Sequence, residues 1–189
     1  MMRVKEVFFA TSNEHKFNEV KVAASEYGIA IKRLNDKPAE IQSDLLEEIA
    51  KQSLIQVSAK VRLPVFVEDA GLFVEALNGF PGPYSSYVFK TIGYDGVLKL
   101  MQNVKNRKAH FLSAVAYGEP GVESIIFTGM ARGVITFESR GSGGFGFDPI
   151  FLPFDSLKTF GEMSEKEKNL FSHRAKAVRR LFDWLVGKS

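Results

Sequence analysis

The feature that most restricts the fold is the alternation of predicted strands and helices along the first third of the chain. Residues 4–11 form an apolar run typical of a buried strand, and from about Asn13 apolar side chains recur at helical spacing until Gly28. A second strand is predicted over 29–34 and a second amphipathic helix over 44–61. Regular alternation of this kind predicts an α/β fold.

The second half of the chain adds an antiparallel component to the predicted sheet. Residues 109–118 and 122–138 alternate apolar and polar side chains around the turn Glu119-Pro120-Gly121, which predicts a hairpin. The sheet is therefore expected to be mixed. Because the chain shows no repeat, low-complexity tract or linker, residues 1–189 are expected to form a single domain, and this length buries a substantial core.

Two predicted helices begin with capping signals. Asp44 followed by Glu47 is a plausible start for the second helix, and Ser164 followed by Glu167 matches the capping-box pattern. From Ser164 the apolar spacing continues to Gly187, which predicts one long terminal helix.

Composition excludes several classes of site. The chain has no cysteine, so disulfides, thiolate metal sites and a cysteine nucleophile are all excluded. Its 25 Lys and Arg against 22 Asp and Glu give a net charge of +3, which suits an anionic ligand without requiring nucleic acid. The N-terminal apolar run is too short for a signal peptide or a membrane span. A cytoplasmic location with no membrane partner is the default expectation.

Three polar side chains follow the first strand at the point where a helix is predicted to begin. They are Thr11, Asn13 and Lys16. A helix N-terminus leaves backbone N–H groups unpaired, these groups attract phosphate, and a lysine one turn later adds a positive charge. The alternative is that Thr11, Ser12 or Asn13 only caps the helix while Lys16 is solvated. The stretch alone does not separate these interpretations.

Two adjacent acids follow a short apolar strand predicted over 65–67. Glu68 and Asp69 are thus expected at the carboxyl end of that strand. Charges at such a position are costly unless they are paired or bind a cation, and Mg²⁺ prefers oxygen ligands. A magnesium site would in turn suit a polyphosphate. The alternative is that Asp69 caps a helix while Glu68 is solvated.

A glycine-rich segment over 141–146 satisfies the dinucleotide-binding pattern G-x-G-x-x-G but lacks its context. That pattern is informative between a first strand and the helix it opens, whereas here Asp148 and Pro149 follow. The chain also lacks the P-loop pattern. Phe145 and Phe147 instead offer two rings suited to stacking on a base, or alternatively form a core pair beside a turn.

A group of hydrogen-bond donors lies on the predicted terminal helix. His173 and Arg174 are adjacent, and Lys168 precedes them by more than one turn. A single helical histidine is more often a surface or capping residue than a functional one. The two neighbouring cations favour a ligand site.

Together these segments resemble the inosine/xanthosine triphosphate pyrophosphatases, a family that removes non-standard nucleotides from the cellular pool. Five motifs in the family's order carry the resemblance across nearly the whole chain: Thr11-x-Asn13-x-x-Lys16, Val67-Glu68-Asp69-Ala70-Gly71-Leu72, Gly79-Phe80-Pro81-Gly82-Pro83-Tyr84-Ser85, Phe145-Gly146-Phe147-Asp148-Pro149-Ile150-Phe151 and Ser172-His173-Arg174.

The resemblance implies an α/β fold with a long mixed β-sheet flanked by helices and two lobes around a central nucleotide-binding cleft. It also implies a homodimer that uses Mg²⁺ to hydrolyse ITP, dITP and XTP to the monophosphate and pyrophosphate. Carried over by position, Asp69 is the general base and a metal ligand, and Glu40 is the second metal carboxylate. The phosphates are expected to contact Thr11, Ser12, Asn13, Glu14, His15 and Lys16. The nucleoside is expected to contact Phe145, Gly146, Phe147, Asp148, Lys168, His173 and Arg174.

The chain departs from the family pattern at three positions. Ala70 replaces a Ser or Thr, so only a backbone contact with substrate remains there. Ser53 matches a lysine of bacterial relatives, whose charge is therefore absent or supplied by Lys51 or Lys60. Phe147 replaces a frequent Tyr or Trp, which keeps the ring but removes a polar group.

Two other functions are weighed against this one. A Maf-like pyrophosphatase would act on modified or pyrimidine nucleotides, and a panel of substrates would separate it. A nucleic-acid-binding module would need a contiguous stripe of Lys and Arg. Here the basic residues are scattered among acids, so no nucleic-acid partner is expected and a small-molecule nucleoside triphosphate is.

Overall fold

A computed structural model describes residues 6–36 and 38–187 of the chain. The strands are Glu6–Ala10 (β1), Ala30–Leu34 (β2), Val65–Val74 (β3), Pro81–Gly82 (β4), Lys108–Gly118 (β5), Ile125–Ile135 (β6) and Phe151–Pro153 (β7). The helices are Glu14–Ser25 (α1), Leu46–Ser58 (α2), Ser85–Leu100 (α3), Glu165–Phe171 (α4) and His173–Gly187 (α5). Residues 4 and 5 of the predicted first strand lie outside the described ranges.

The strands form one mixed sheet, which confirms the predicted fold class. Six strands follow the order β2-β1-β3-β5-β6-β7, and β4 pairs with β3 beside that path. Strand β1 runs parallel to β2 and β3, whereas the pairs β3-β5, β5-β6 and β6-β7 are antiparallel. The parallel part comes from the predicted strand and helix alternation, and the antiparallel part contains the predicted hairpin.

Strand β3 is longer than the sequence indicated. Glu68 and Asp69 lie inside a ten-residue strand, so the expectation that they end a strand is wrong, as is the alternative that Asp69 caps a helix. The strand continues because β5 pairs with it along its whole length, from Val65 with Gly118 to Val74 with Ala109. Gly71 permits the crossing of β4, since a β-carbon there would overlap the carbonyl oxygen of Gly82.

The opposite edge of β3 is open in its middle. Parallel pairing with β1 stops at Phe66, and pairing with β4 begins at Leu72. Residues 67–71 therefore have no strand neighbour on that edge among the described residues. The gap lies beside the two acids, of which Glu68 is buried and Asp69 is partly exposed.

Two helix predictions need correction, and one helix was not predicted. The N-cap of helix α2 is Leu45, which makes no side-chain capping bond, and not Asp44. Ser43 Oγ accepts the N–H of Leu45 and donates to Glu48. The predicted terminal helix is two helices, because Ser172 has an extended backbone between α4 and α5. Helix α3 was not predicted, and its apolar spacing is interrupted where Gly93 leaves helical geometry.

The core packs on both faces of the sheet. Helices α1 and α5 cover one face through Val20, Val178 and Phe182, and α2 covers the other. A third apolar cluster joins α3 to the far end of β5 and to the loops around β7. None of the helices within the described residues is long and apolar enough to cross a membrane.

Candidate active site

A cavity of about 560 Å³ opens at the gap in the β3 edge. It is bounded by the loop after β1, helix α2, strand β3, helix α3, the glycine-rich loop and the adjoining ends of α4 and α5. With one exception, every residue predicted to form the site lines it: Thr11, Ser12, Asn13, His15, Lys16, Glu40, Asp69, Ala70, Phe145, Gly146, Phe147, Asp148, Lys168, His173 and Arg174. The exception is Glu14, which is exposed in the first turn of α1 and does not line the cavity.

At the start of α1, the residues that cap the helix also line the cavity. Asn13 caps the helix, since its Oδ1 accepts the backbone N–H of Lys16 at 3.2 Å, and Thr11 Oγ1 accepts the N–H of Asn13 at 3.1 Å. On the outside, Arg33 of β2 donates to the carbonyl oxygens of Thr11 and Ser12 at 3.1 and 2.7 Å. The turn is thus held rigidly with its helix N-terminus at the cavity, where a phosphate would be attracted.

Lys16 is not a solvated surface residue. Its Nζ donates to the carbonyl oxygen of Glu68 at 3.2 Å and lies 2.9 Å from that residue's Oε2. The contact ties the start of α1 to the open edge of β3. It therefore places a partly buried positive charge between the helix N-terminus and the acids.

Glu68 is buried and forms ion pairs with Lys16 and Arg174. Its Oε1 accepts from Ser113 Oγ at 2.7 Å and lies 3.2 Å from Arg174 Nε. Burial alone would raise the pKa of this carboxyl, but the positive charges of Arg174 and Lys16 outweigh it and lower the pKa well below its usual value. Glu68 is therefore ionised and is an anchor for two cations.

Asp69 has the opposite electrostatic environment. Burial, with the negative charges of Glu68 and Glu40, raises its pKa to about 6 although Lys16 opposes the shift. Its Oδ1 accepts only the adjacent N–H of Ala70, at 3.0 Å, among the recorded bonds. A carboxylate with a pKa close to neutral is well suited to accept a proton during catalysis. The two neighbouring acids thus have different roles imposed by their surroundings.

The glycine-rich loop is shaped by Asp148. The Oδ2 atom of Asp148 accepts the N–H of Phe145 at 2.8 Å and the Nζ proton of Lys168 at 2.6 Å. Gly144 has a φ of +70°, and a β-carbon there would overlap the Asp148 carboxylate. The glycine therefore permits close approach within the loop. Only a one-turn 3-10 helix, Asp148–Ile150, follows it and no α-helix does, which agrees with rejecting the dinucleotide-binding interpretation.

The two aromatic rings of this loop differ in exposure. Phe147 is 3% exposed and packs edge-on against Phe89 of α3, so it belongs to the core as well as to the cavity wall. Phe145 is partly exposed, stacks on His15 with ring centroids 5.3 Å apart, and has Lys168 and Arg174 over its ring. Phe145 is therefore the more accessible of the two rings.

Glu19 completes a continuous chain of buried ion pairs and was not predicted. Its two oxygens lie 2.6 Å from Lys168 Nζ and 2.5 Å from Arg174 Nη1. Burial would raise its pKa, but Arg174 and Lys168 together lower it. The alternating charges link Asp148 at the glycine-rich loop to Lys16 at α1. Sequence spacing gave no signal, because the partners lie about 150 residues apart along the chain.

His173 is neutral and incompletely bonded. It is buried, its ring stacks on Phe111 at 4.6 Å, and its Nδ1 has no hydrogen-bond partner among the described residues. Burial, reinforced by the charge of Arg174, lowers its pKa well below the usual value. A neutral imidazole carries one donor and one acceptor nitrogen, so it can recognise a polar edge of a ligand.

The three departures from the family pattern are all at the cavity. Ala70, Ser53 and Phe147 line it, and Ser53 is buried. Neither proposed substitute for the missing lysine lines the cavity, since Lys60 is paired with Asp36 at 2.8 Å on the surface and Lys51 is exposed on α2. Helix α3, which was not predicted, contributes the wall formed by Ser85, Ser86, Phe89 and Lys90.

Comparison with known sequences gives consistent relatives across the full chain. A protein of Hyperthermus butylicus named dITP/XTP pyrophosphatase is 50% identical over 185 residues, which cover 97% of this chain and 96% of the relative. A protein of the same name from Methanopyrus kandleri is 51% identical over 178 residues, covering 94% and 95%. Both names agree with the resemblance carried by the five motifs.

Solved structures share this fold. The Ham1 protein of Staphylococcus aureus matches with a TM-score of 0.84 and 30% identity over 98% of this chain and 100% of its own. A HAM1 protein of Coxiella burnetii matches with a TM-score of 0.83 and 28% identity over 96% and 98%. The model of the Ham1 family also matches residues 7–184, so the chain belongs to the Ham1 family.

Proposed function

We propose that this protein hydrolyses the non-standard purine nucleoside triphosphates ITP, dITP and XTP to the monophosphate and pyrophosphate. The observation that carries the proposal is one cavity that combines a helix N-terminus and Lys16, a carboxylate of raised pKa at Asp69, and the ring of Phe145 with the imidazole of His173 in its lining. Relatives about 50% identical are named dITP/XTP pyrophosphatases, which supports the same substrate class here.

Each step of the reaction has a matching group in the cavity. Asp69 accepts the proton of the water that attacks the α-phosphorus. Lys16 and the N–H groups of α1 hold phosphate oxygens and stabilise the pyrophosphate that leaves. Since water attacks directly, no covalent intermediate is required.

The acids fit a divalent cation that is shared with the substrate. Burial and the charges of Glu68 and Glu40 raise the pKa of Asp69, so a cation would be favoured beside it. The described residues contain no group of three His, Asp or Glu that would hold a metal alone. Mg²⁺ typically uses one or two carboxylates together with substrate phosphates. We infer that Asp69 and Glu40 are those carboxylates, and a bound Mg²⁺ would neutralise phosphate oxygens.

Base recognition is assigned to Phe145, His173 and Arg174. Stacking on Phe145 is tolerant of base identity. Hypoxanthine and xanthine present an oxygen at position 6, where adenine presents an amino group. Hydrogen-bond donors from His173 and Arg174 would therefore favour hypoxanthine and xanthine over adenine. An unpaired buried donor costs about 1 to 3 kcal/mol, and two such conflicts give discrimination of about a hundredfold. Guanine shares the 6-oxygen, so its exclusion would depend on its 2-amino group.

The reaction products provide the first test. Incubation of the protein with Mg²⁺ and ITP should yield IMP and pyrophosphate, identified by phosphorus NMR, with ATP and GTP turned over much more slowly. Release of orthophosphate in steps would contradict the proposal. Equal or faster hydrolysis of modified or pyrimidine nucleotides in the same panel would favour the Maf-like alternative, which the curated relatives do not support.

A second test separates metal binding from proton transfer. Glu40→Gln should raise the Mg²⁺ concentration needed for half-maximal activity by about tenfold, while activity at saturating Mg²⁺ largely recovers, because Asp69 is retained. Glu47→Gln, a partly exposed acid on α2 that does not line the cavity, is the control. A lowered maximal rate with unchanged Mg²⁺ dependence would remove Glu40 from the metal site.

We also infer a homodimer in the cytoplasm. Tyr84, Tyr87 and Ile92 on and before α3 expose 43%, 69% and 44% of their surface, more than large apolar side chains usually do, and association would cover them. Light scattering at several protein concentrations would test the assembly. A monomer at all concentrations would contradict it.

A further inference from the structure

Among the residues that the structure describes, one cation in the cavity lining is not engaged by an acid. Four basic side chains line the cavity, namely Lys16, Lys90, Lys168 and Arg174. Lys16 pairs with Glu68, and Lys168 and Arg174 pair with Glu19 at 2.6 and 2.5 Å. The side chain of Lys90 forms no ion pair or hydrogen bond within residues 6–36 and 38–187. Its charge is therefore uncompensated by protein groups.

Helix α3 holds Lys90 at a fixed place on the cavity rim. The first residue of the helix, Ser85, accepts the N–H of Leu72 at 2.8 Å and donates to the carbonyl oxygen of Gly82 at 2.7 Å. Val88 is buried, and Phe89 packs edge-on against Phe147 with ring centroids 5.5 Å apart. The backbone before Lys90 is thus anchored both to β3 and to the glycine-rich loop, while the lysine itself is exposed.

The charges of Lys16, Lys168 and Arg174 are largely neutralised by the acids with which they pair. Glu19 and Glu68 together hold Arg174, and Lys168 also holds Asp148. Of the other acids that line the cavity, Asp36 pairs with Lys60, and Glu40 and Asp69 are those assigned to the metal. A triphosphate brings several negative charges into this site, and a paired lysine or arginine offers it less attraction than an unpaired one. Among the described side chains that line the cavity, the unpaired cation is Lys90.

We propose that Lys90 is a substrate-binding residue that contacts phosphate oxygens of the nucleoside triphosphate. The inference rests on the proposed function for its substrate, and it adds a contact from α3 to those from α1. Because a lysine charge can follow the phosphates with its flexible stem, it strengthens binding of the triphosphate chain and leaves base recognition unchanged. Ser86, which also lines the cavity one turn earlier, faces the same ligand but carries no charge.

Steady-state kinetics on Lys90→Gln test the proposal. The KM for ITP should rise about tenfold or more, which is the loss expected for one charged hydrogen bond, and Lys90→Arg should recover most of it. Lys99→Gln is the matched control, because Lys99 is an exposed lysine on the same helix that does not line the cavity. A KM for Lys90→Gln equal to that of the control would overturn the proposal.

Binding of inorganic tripolyphosphate separates this contact from the identity of the nucleotide. Calorimetry in the presence of Mg²⁺ should show weaker tripolyphosphate binding to Lys90→Gln by the same factor, with inosine binding unaffected. This measurement does not depend on ITP being a good substrate. The phosphate contact can therefore be contradicted without contradicting the proposed function, and the reverse also holds. Unchanged tripolyphosphate affinity, or an equal loss of inosine affinity, would contradict a phosphate contact.

Discussion

Replacing Asp69 by asparagine is expected to lower turnover of ITP by at least about a hundredfold, the usual share of general-base catalysis. Asparagine keeps the size of the side chain but cannot accept a proton and brings no negative charge to a cation. The free energy of unfolding should rise at neutral pH, because the raised pKa of Asp69 means that its ionised form is unfavourable in the folded protein. Loss of activity together with gained stability would mark a functional acid.

The pH profile of the unmodified protein gives an independent check on Asp69. Since its pKa is raised to about 6, the carboxyl is ionised above that pH and protonated below it. Activity should therefore fall as pH decreases through about 6, and the midpoint should move to lower pH as the Mg²⁺ concentration is raised. Asp155→Asn, an exposed acid outside the cavity, is the control variant. Near-normal activity of Asp69→Asn at saturating Mg²⁺ would show that the assignment is wrong.

Replacing Arg174 by alanine is expected to produce the largest loss of stability. The guanidinium is 2% exposed and lies between the carboxylates of Glu19 and Glu68, so its removal leaves two buried negative charges with fewer partners. Breaking one side of a buried ion pair costs about 3 to 5 kcal/mol. Chemical denaturation of the two proteins measures this difference in the free energy of unfolding.

Arg179 offers a matched control on the same helix. It pairs with Glu26 at 2.9 Å, but the two side chains are 25% and 48% exposed, so Arg179→Ala should cost less than about 1 kcal/mol. If Arg174→Ala and Arg179→Ala lowered the free energy of unfolding by similar amounts, burial would not explain the role of Arg174.

The stability role of Arg174 also decides how its part in base recognition is tested. A folded variant is needed, and Arg174→Lys keeps a positive charge between the two carboxylates while removing the planar fork of donors. The rate of ITP turnover divided by that of ATP turnover should decrease in this variant. In Phe145→Ala the binding of all nucleotides should weaken by a similar factor, because stacking tolerates any base. An unchanged ratio in Arg174→Lys would leave the arginine a structural role.

Local patterns predicted the mixed α/β fold because each pattern reflects short-range geometry. Apolar alternation marked the hairpin of β5 and β6, and helical spacing marked α1 and α2. The same patterns located the ends of these elements poorly, since an end depends on neighbours. Strand β3 continues past Glu68 and Asp69 because β5 pairs with it, and no property of residues 65–69 alone signals that partner.

The identity and order of the side chains sufficed to indicate the family and most of the residues that line the cavity, because they state which chemical groups are available. What each group does depends on the folded arrangement. Glu68 and Asp69 are adjacent acids, yet one is ionised as an anchor for Lys16 and Arg174 while burial raises the pKa of the other to about 6. Glu19 and Lys90 gained their significance only from folding. The physical reason is that charge and burial act through space, and the residues that impose them lie far away along the chain.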